Sequence, residues 1–355
     1  MKKASAISLV FLSVFLFASA SLVMAAGSSE GSDTGPKTLI ISTWGLSEDT
    51  LWQDVYAPFE KQFNCKVVLE TGTTAERYTK LSSNPNSTVD VIELSQKAAA
   101  DGYAANLFAK VDYKQIPNSA QLIPGAKAMT ENGYGPAYTL NSIGIIYNPT
   151  ALGFEIKEWA DLWRPELANK ISIPALSTTF GPAMVYVAAD YAKVPVAKDK
   201  GEAAFKALAS LKGNIVKTYT KSSDLANMFA SGEIVAAVVG DFAIPIISKA
   251  LPEAIFLVPA SGTYANFNTI DVVGTSKNKE LAYAYINWRI SKELQSKTAA
   301  SLNETPINAD VVLTPELAAN KTYGPTAKRA KAIDFALVNP LMASWTDTWN
   351  RVLNN

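Results

Sequence analysis

The chain contains no histidine and a single cysteine, Cys65. Ser-His-Asp and Cys-His nucleophilic sites are therefore ruled out, together with nearly all zinc-site types. Carboxylates, hydroxyls, amides and indoles remain. A carboxylate-dependent hydrolase or lyase needs two acids converging in one pocket with displaced pKa values, and Glu93 with Asp241 is the one pair that can be nominated. A binding site needs less, and two stretches offer it. Thr43-Trp44-Gly45 follows an apolar run and precedes a helical pattern, the position at which open α/β sheets turn side chains and free N–H groups toward ligands. Ser177-Thr178-Thr179-Phe180-Gly181 sets hydroxyls ahead of another helix, which suits a carboxylate or phosphonate. A plain N-cap cluster is the competing use of those hydroxyls.

The elements that must position these residues alternate. Lys37–Thr43 reads as a buried strand around Leu39, Ile40 and Ile41. Ser47 is the predicted N-cap of a helix carrying Leu51, Trp52, Val55, Tyr56, Phe59 and Phe63 on one face. Strands are predicted at Lys66–Glu70 and Val89–Glu93, with helices from about Ala75 to Leu81 and from Gln96 to about Ala105, the pattern of a parallel sheet with crossover helices. Gly133–Asn148 is extended with a polar centre at Thr139–Ser142, which suits a first hinge. A second α/β unit follows, with a helix at Glu202–Leu211 among its elements, and Thr263–Val273 reads as a return crossing. Helices at Lys279–Ile290 and Lys292–Ala300 would rejoin the first lobe, and the tail reads as mostly helical.

Lys2 and Lys3, an apolar stretch to Val23 and the small exit at Ala25 read as a secretory signal over residues 1–25. No cysteine follows it to accept a lipid. Residues 26–37 are Gly/Ser/Asp-rich and read as a disordered leader. About 320 residues then remain, enough for two lobes at about 100–200 residues each: 38–140 plus about 270–315, and 141–269 plus about 316–355. Removing Lys2 and Lys3 leaves 30 basic against 32 acidic residues, a charge near −2 with no basic cluster, so a nucleic-acid partner is not expected. Cys65 lies in the apolar run Cys65–Leu69 and reads as a buried structural thiol.

Five stretches are similar to the periplasmic solute-binding proteins of ABC importers, in the branch of the spermidine/putrescine binders and their iron- and phosphonate-binding relatives. They are LIISTWG at Leu39–Gly45, APFEKQFNCKVVLETG at Ala57–Gly72, VDVIELS at Val89–Ser95, EWADLWRPELANKISIP at Glu158–Pro174 and VPASGTYANFNTIDVVGTSKN at Val258–Asn278. The resemblance spans Lys37 to Asn308, and EWADLWRPE is its most specific part. It implies an α/β, two-lobe periplasmic-binding-protein fold with discontinuous lobes and a hinge of crossing strands. It also implies an extracytoplasmic, monomeric receptor that captures a small polar or charged solute between its lobes, closes, and delivers it to a membrane ABC permease. No catalysis, cofactor or resident metal is implied.

The same resemblance places ligand contacts at Thr43, Trp44 and Gly45, at Ser95 and Gln96, at Ser177, Thr178 and Thr179, at Asp241 and Phe242, and at Tyr264, Asn266 and Asn268. In the polyamine binders, carboxylates on the third and fifth of these loops hold the ammonium groups while aromatic side chains sandwich the methylene chain. Here the third loop carries serine and threonines, and Asn266 and Asn268 stand where a tryptophan and an aspartate are expected. Burying an ammonium without a carboxylate costs several kcal/mol. Only Asp241, Glu93 and Glu304 are left for that role, so a solute with one oxyanion and at most one amine is a better match than a polycation. No adjacent Tyr-Tyr pair is present to resemble the iron binders. Trp52, Trp159, Trp163 and Trp288 sit among apolar residues at helical spacing and are predicted core. For Asp241, capping the helix that follows competes with a ligand contact.

Overall fold

The computed structural model describes residues 36–354; the expected signal peptide and nearly all of the expected leader lie outside the described residues. Ten strands form one sheet: β1 Lys37–Thr43, β2 Cys65–Thr71, β3 Val91–Ser95, β4 Ala137–Tyr147, β5 Ile171–Pro174, β6 Ile215–Tyr219, β7 Ala236–Gly240, β8 Ile255–Leu257, β9 Thr263–Val272 and β10 Ala330–Ala332. Their order is β2-β1-β3-β9-β4-β7-β5-β6, with β10 on β9 and β8 on β4. Strands β1, β2 and β3 run parallel, as do β5, β6 and β7. The parallel reading of the first three strands holds, and the sheet as a whole is mixed, because β9 runs antiparallel to β3 and β4, and β4 antiparallel to β7.

Strand β4 joins the two lobes. Its Ala137–Ser142 portion pairs with β9, and its Ile143–Tyr147 portion pairs with β7, so the partner changes at the polar-to-apolar switch visible in the sequence. All eleven residues are buried. The first core gathers Leu39, Ile41, Val55, Phe59, Val91 and Ile286. The second gathers Ile145, Ile173, Leu208, Val238 and, from the tail, Val338 and Trp345. Each lobe is thus built from separated stretches of chain.

Helices α1 Thr74–Ser82, α2 Gln96–Ala104, α3 Gly181–Ala192, α4 Ile244–Ala250, α5 Lys279–Arg289 and α6 Lys292–Ser301 position the residues considered below. Helix α1 begins with a reciprocal box: Thr73 Oγ1 accepts from the Glu76 amide at 3.3 Å, and Glu76 returns a carboxylate to the Thr73 amide at 2.7 Å. Ser47 does not cap. It sits at φ 48° with no side-chain bond, and the helix after it is interrupted by a π turn at Trp52–Tyr56 that leaves Trp52 38% exposed instead of in the core. Trp159 is buried as expected, its indole N–H on the Gly262 carbonyl, and Cys65 is buried. The tail adds the unexpected β10 among its short helices.

Gly135 marks the approach of β4 to β9. A Cβ there would lie 1.6 Å from the Ile270 carbonyl oxygen, and backbone on both sides cannot yield cheaply. Gly135→Ala is expected to cost about 2 kcal/mol or more, read as a lowered urea midpoint with unchanged slope.

Candidate solute site

The carboxyl ends of both parallel strand sets converge on the crossing strands. Ser95, the last residue of β3, pairs with Asn268, and Gly240, the last residue of β7, pairs with Ile143. Ligands of open α/β sheets bind at such ends. A continuous amide chain runs through this point. The Gln96 amide at the start of α2 donates to Asn266 Oδ1 (3.1 Å), Asn266 Nδ2 to Asn268 Oδ1 (2.8 Å), Asn268 Nδ2 to Asn141 Oδ1 (3.2 Å), and Asn141 Nδ2 to Asp241 Oδ1 (2.9 Å). Asn266 and Asn268 lie two apart on β9 and so share a face. The chain links the first lobe to the second through neutral groups, apart from its last member.

Asp241 is saturated. Its Oδ2 accepts from the Ser142 amide (3.4 Å), the Thr322 amide (3.0 Å) and Thr322 Oγ1 (2.6 Å). Full burial pushes its pKa up to about 6, against the hydrogen bonds, which lower it. It does not cap α4, whose N-cap is Ala243 without a side-chain bond. Its backbone carbonyl accepts from Asn303 Nδ2 (2.8 Å), and Lys321 Nζ donates to Asn303 Oδ1 (2.7 Å). Asn141, Ser142, Asn303 and Thr322 were not among the predicted site residues. Thr322 stands 81 positions from Asp241, in a tail with no local pattern to mark it.

Other predicted residues separate. Thr43 is buried and donates to Glu93 Oε2 at 2.6 Å, inside the first core. Glu93 also accepts from Tyr285 (3.1 Å) and Tyr138 (3.4 Å), and lies 3.6 Å from Arg289 Nε. Arg289 grips Glu304 with two bonds, 3.0 and 2.7 Å. Neither Glu93 nor Glu304 is free for an ammonium, which corrects that expectation. Glu93 and Asp241 belong to separate networks rather than to one acid–base pocket. Tyr264 also departs from the cluster: it is buried in the second core, with its hydroxyl on Asp190 (2.8 Å) and its ring against Tyr186.

The remaining predicted residues border the crossing. Trp44 is half-buried; its indole N–H donates to Thr74 Oγ1 (2.9 Å), and the Arg77 guanidinium lies 4.6 Å from the ring centroid. Gly45 is exposed, Gln96 half-buried and Ser95 buried, without a capping bond to α2. Ser177 is exposed, and Thr178 and Thr179 are half-buried. Thr178 Oγ1 donates to the Ala175 carbonyl (2.7 Å), and no side chain caps α3. Phe180, at the N-cap of α3, stacks on half-buried Phe242 with centroids 6.2 Å apart.

Known proteins place this architecture. A spermidine/putrescine-binding periplasmic protein of Haemophilus influenzae is 25% identical over 280 residues, 76% of each chain. A putrescine-binding periplasmic protein of Escherichia coli is 24% identical over 345 residues, covering 89% of this chain and 91% of that one. A crystal structure of an ABC transporter protein from Clostridium perfringens shares 55% identity and superposes with a TM-score of 0.75 over 89% of this chain and 99% of that one. The profile of the bacterial extracellular solute-binding proteins matches residues 54–325. Two lobes, a polar crossing between them and this match together mean that the chain belongs to the bacterial extracellular solute-binding protein family.

Proposed function

We propose that this protein is the extracytoplasmic receptor of an ABC importer, a monomer without cofactor. It takes a small solute bearing an oxyanion, zwitterionic or anionic, and passes it to the membrane permease. The solute-capture role follows from the family. The observation that carries the finer reading is the saturation of Asp241: the carboxylate that ends the amide chain at the crossing already accepts four hydrogen bonds. A diamine would have to displace those donors at one end and find no carboxylate at the other, leaving a buried charge unpaired. Hydroxyls and amides from both lobes, with the N-terminus of the twelve-residue α3, favour negative charge instead.

Capture works by closure. Crossing strands β4 and β9 carry the bending, and solute contacts from both lobes stabilise the closed form. One direct bridge also spans the lobes: Asn339 Nδ2 donates to Asp101 Oδ1 at 2.7 Å. Asp101 lies on α2 and Asn339 follows Val338 of the second core. Native mass spectrometry of the purified protein tests the role through a retained small molecule that dissociates on unfolding. Trp44→Ala is expected to weaken solute binding about tenfold or more while changing unfolding by about 1 kcal/mol or less. Unchanged affinity in calorimetry would remove the Trp44 turn from the site.

A further inference from the structure

Arg77 is 2% exposed, yet no carboxylate among the described residues pairs with it. Its Nε donates to the Gly72 carbonyl (3.0 Å), and its Nη1 to the carbonyls of Ser42 (3.1 Å) and Glu93 (2.6 Å). These carbonyls lie near the carboxyl ends of β1 and β3, beside the crossing. Nη2 is buried with no partner. The nearest carboxylates are committed elsewhere: Glu93 to Thr43, Tyr138, Tyr285 and Arg289, and Glu70 to Ser42 and Lys80. Burial lowers the guanidinium pKa to about 10, with Glu93, Tyr138 and Glu70 opposing. A buried cation left this bare is uncommon, because its desolvation is not repaid by a counter-charge.

The guanidinium covers one face of Trp44, so the exposed remainder of that ring is backed by positive charge. Trp44 cannot easily turn away, since Thr74 of the same helix holds its indole N–H. A ring with a cation already on one face attracts a second cation poorly on the other, and favours a negative or electron-rich group. We infer that Arg77 is a specificity determinant of the solute site, set behind Trp44 so that the first-lobe wall selects the oxyanion end of the solute and opposes an ammonium. This rests on the solute-receptor reading above and adds a residue that contacts no solute directly.

A charge ladder of equal length tests it: succinate, 4-aminobutyrate and putrescine, titrated calorimetrically into the mature protein and its variants. The wild type is expected to bind at least one carboxylate-bearing member about tenfold or more tightly than putrescine. Arg77→Gln should compress that ratio about tenfold, and Arg77→Lys should retain it. Because Arg77 also ties strand ends together, Arg77→Gln can fail to fold. Thr74→Asp is the second variant. It leaves Arg77 in place and puts a carboxylate one helical turn away, in a first turn that tolerates acids, and it should compress the ratio in the same direction. A purely structural Arg77 would alter all three affinities together. An unchanged ratio in folded Arg77→Gln or in Thr74→Asp, a wild type preferring putrescine, or a wild type taking none of the three overturns the inference. The receptor role fails separately, if the purified wild type neither retains nor is stabilised by any solute in a broad screen.

Discussion

Arg289→Met is expected to lose about 3–5 kcal/mol of unfolding free energy, the cost of leaving a buried counter-charge unpaired. The guanidinium side chain is 1% exposed and stands between Glu93, 3% exposed, and Glu304, 16% exposed. It makes two bonds to Glu304 and lies 4.3 Å from the centroid of the Tyr138 ring. Deleting it leaves Glu93 with hydroxyl donors only, inside a core that also holds Tyr56, Tyr138 and Tyr285. Lysine restores the charge but not the two-pronged grip, so Arg289→Lys should recover only part of the loss. Neutralising both acids in the Arg289→Met background should recover more, since the penalty comes from the stranded charges. Equal stability of Arg289→Met and wild type in guanidinium titrations would show that the triad is not what holds α5 to the first lobe.

The second large effect is a pH dependence opposite to that of ordinary carboxylates. Asp271 on β9 is fully buried and accepts from Thr269 Oγ1 (2.7 Å), the Gly135 amide (3.1 Å) and the Tyr103 hydroxyl (3.5 Å). Burial nevertheless raises its pKa from 3.8 to about 7. A folded-state pKa above the unfolded value means that the contribution is fully present below about pH 4 and is lost as pH rises through about 7, on the order of 4 kcal/mol in all. Asp241 moves the same way, with a pKa of about 6. Asp271→Asn keeps an acceptor and cannot ionise. The difference in stability between this variant and the wild type should therefore shift in the variant's favour by about 4 kcal/mol between about pH 4 and about pH 8. Urea titrations across that range check it, and parallel profiles for the two proteins would contradict it.

Much of the frame was legible in the sequence because it is local. The apolar run at Leu39–Ile41 and the polar centre of Thr139–Ser142 each record their element in a few adjacent residues, and Glu202–Leu211 appears as a helix with its predicted bounds. The direction of the crossing strands was not legible, since a strand reads alike whether its neighbour runs parallel or antiparallel. The site was half legible. The spacing of Asn266 and Asn268 shows a shared face, but Asn141, to which Asn268 donates, and Asp241, to which Asn141 donates in turn, are remote in sequence. Thr322 reaches Asp241 from a tail whose composition marks nothing. Thr43 lies apart from the cluster because alternation along β1 turns its side chain into the core toward Glu93. Tyr264 lies apart from the cluster because β9 begins in the second lobe and has not yet crossed at that residue. Nothing adjacent to Arg77 in the sequence marks it, and only its burial and its packing against Trp44 reveal it.

The most direct test of solute capture is the melting temperature of the mature protein, measured against polyamines, amino acids, phosphonates and small dicarboxylates at rising concentration. A solute bound only by the folded state raises the midpoint by mass action. A dose-dependent rise is expected with a carboxylate- or phosphonate-bearing solute, and little or none with putrescine or spermidine. A rise with the polyamines alone would contradict it, and would require Asp241 to exchange its four donors for an ammonium group.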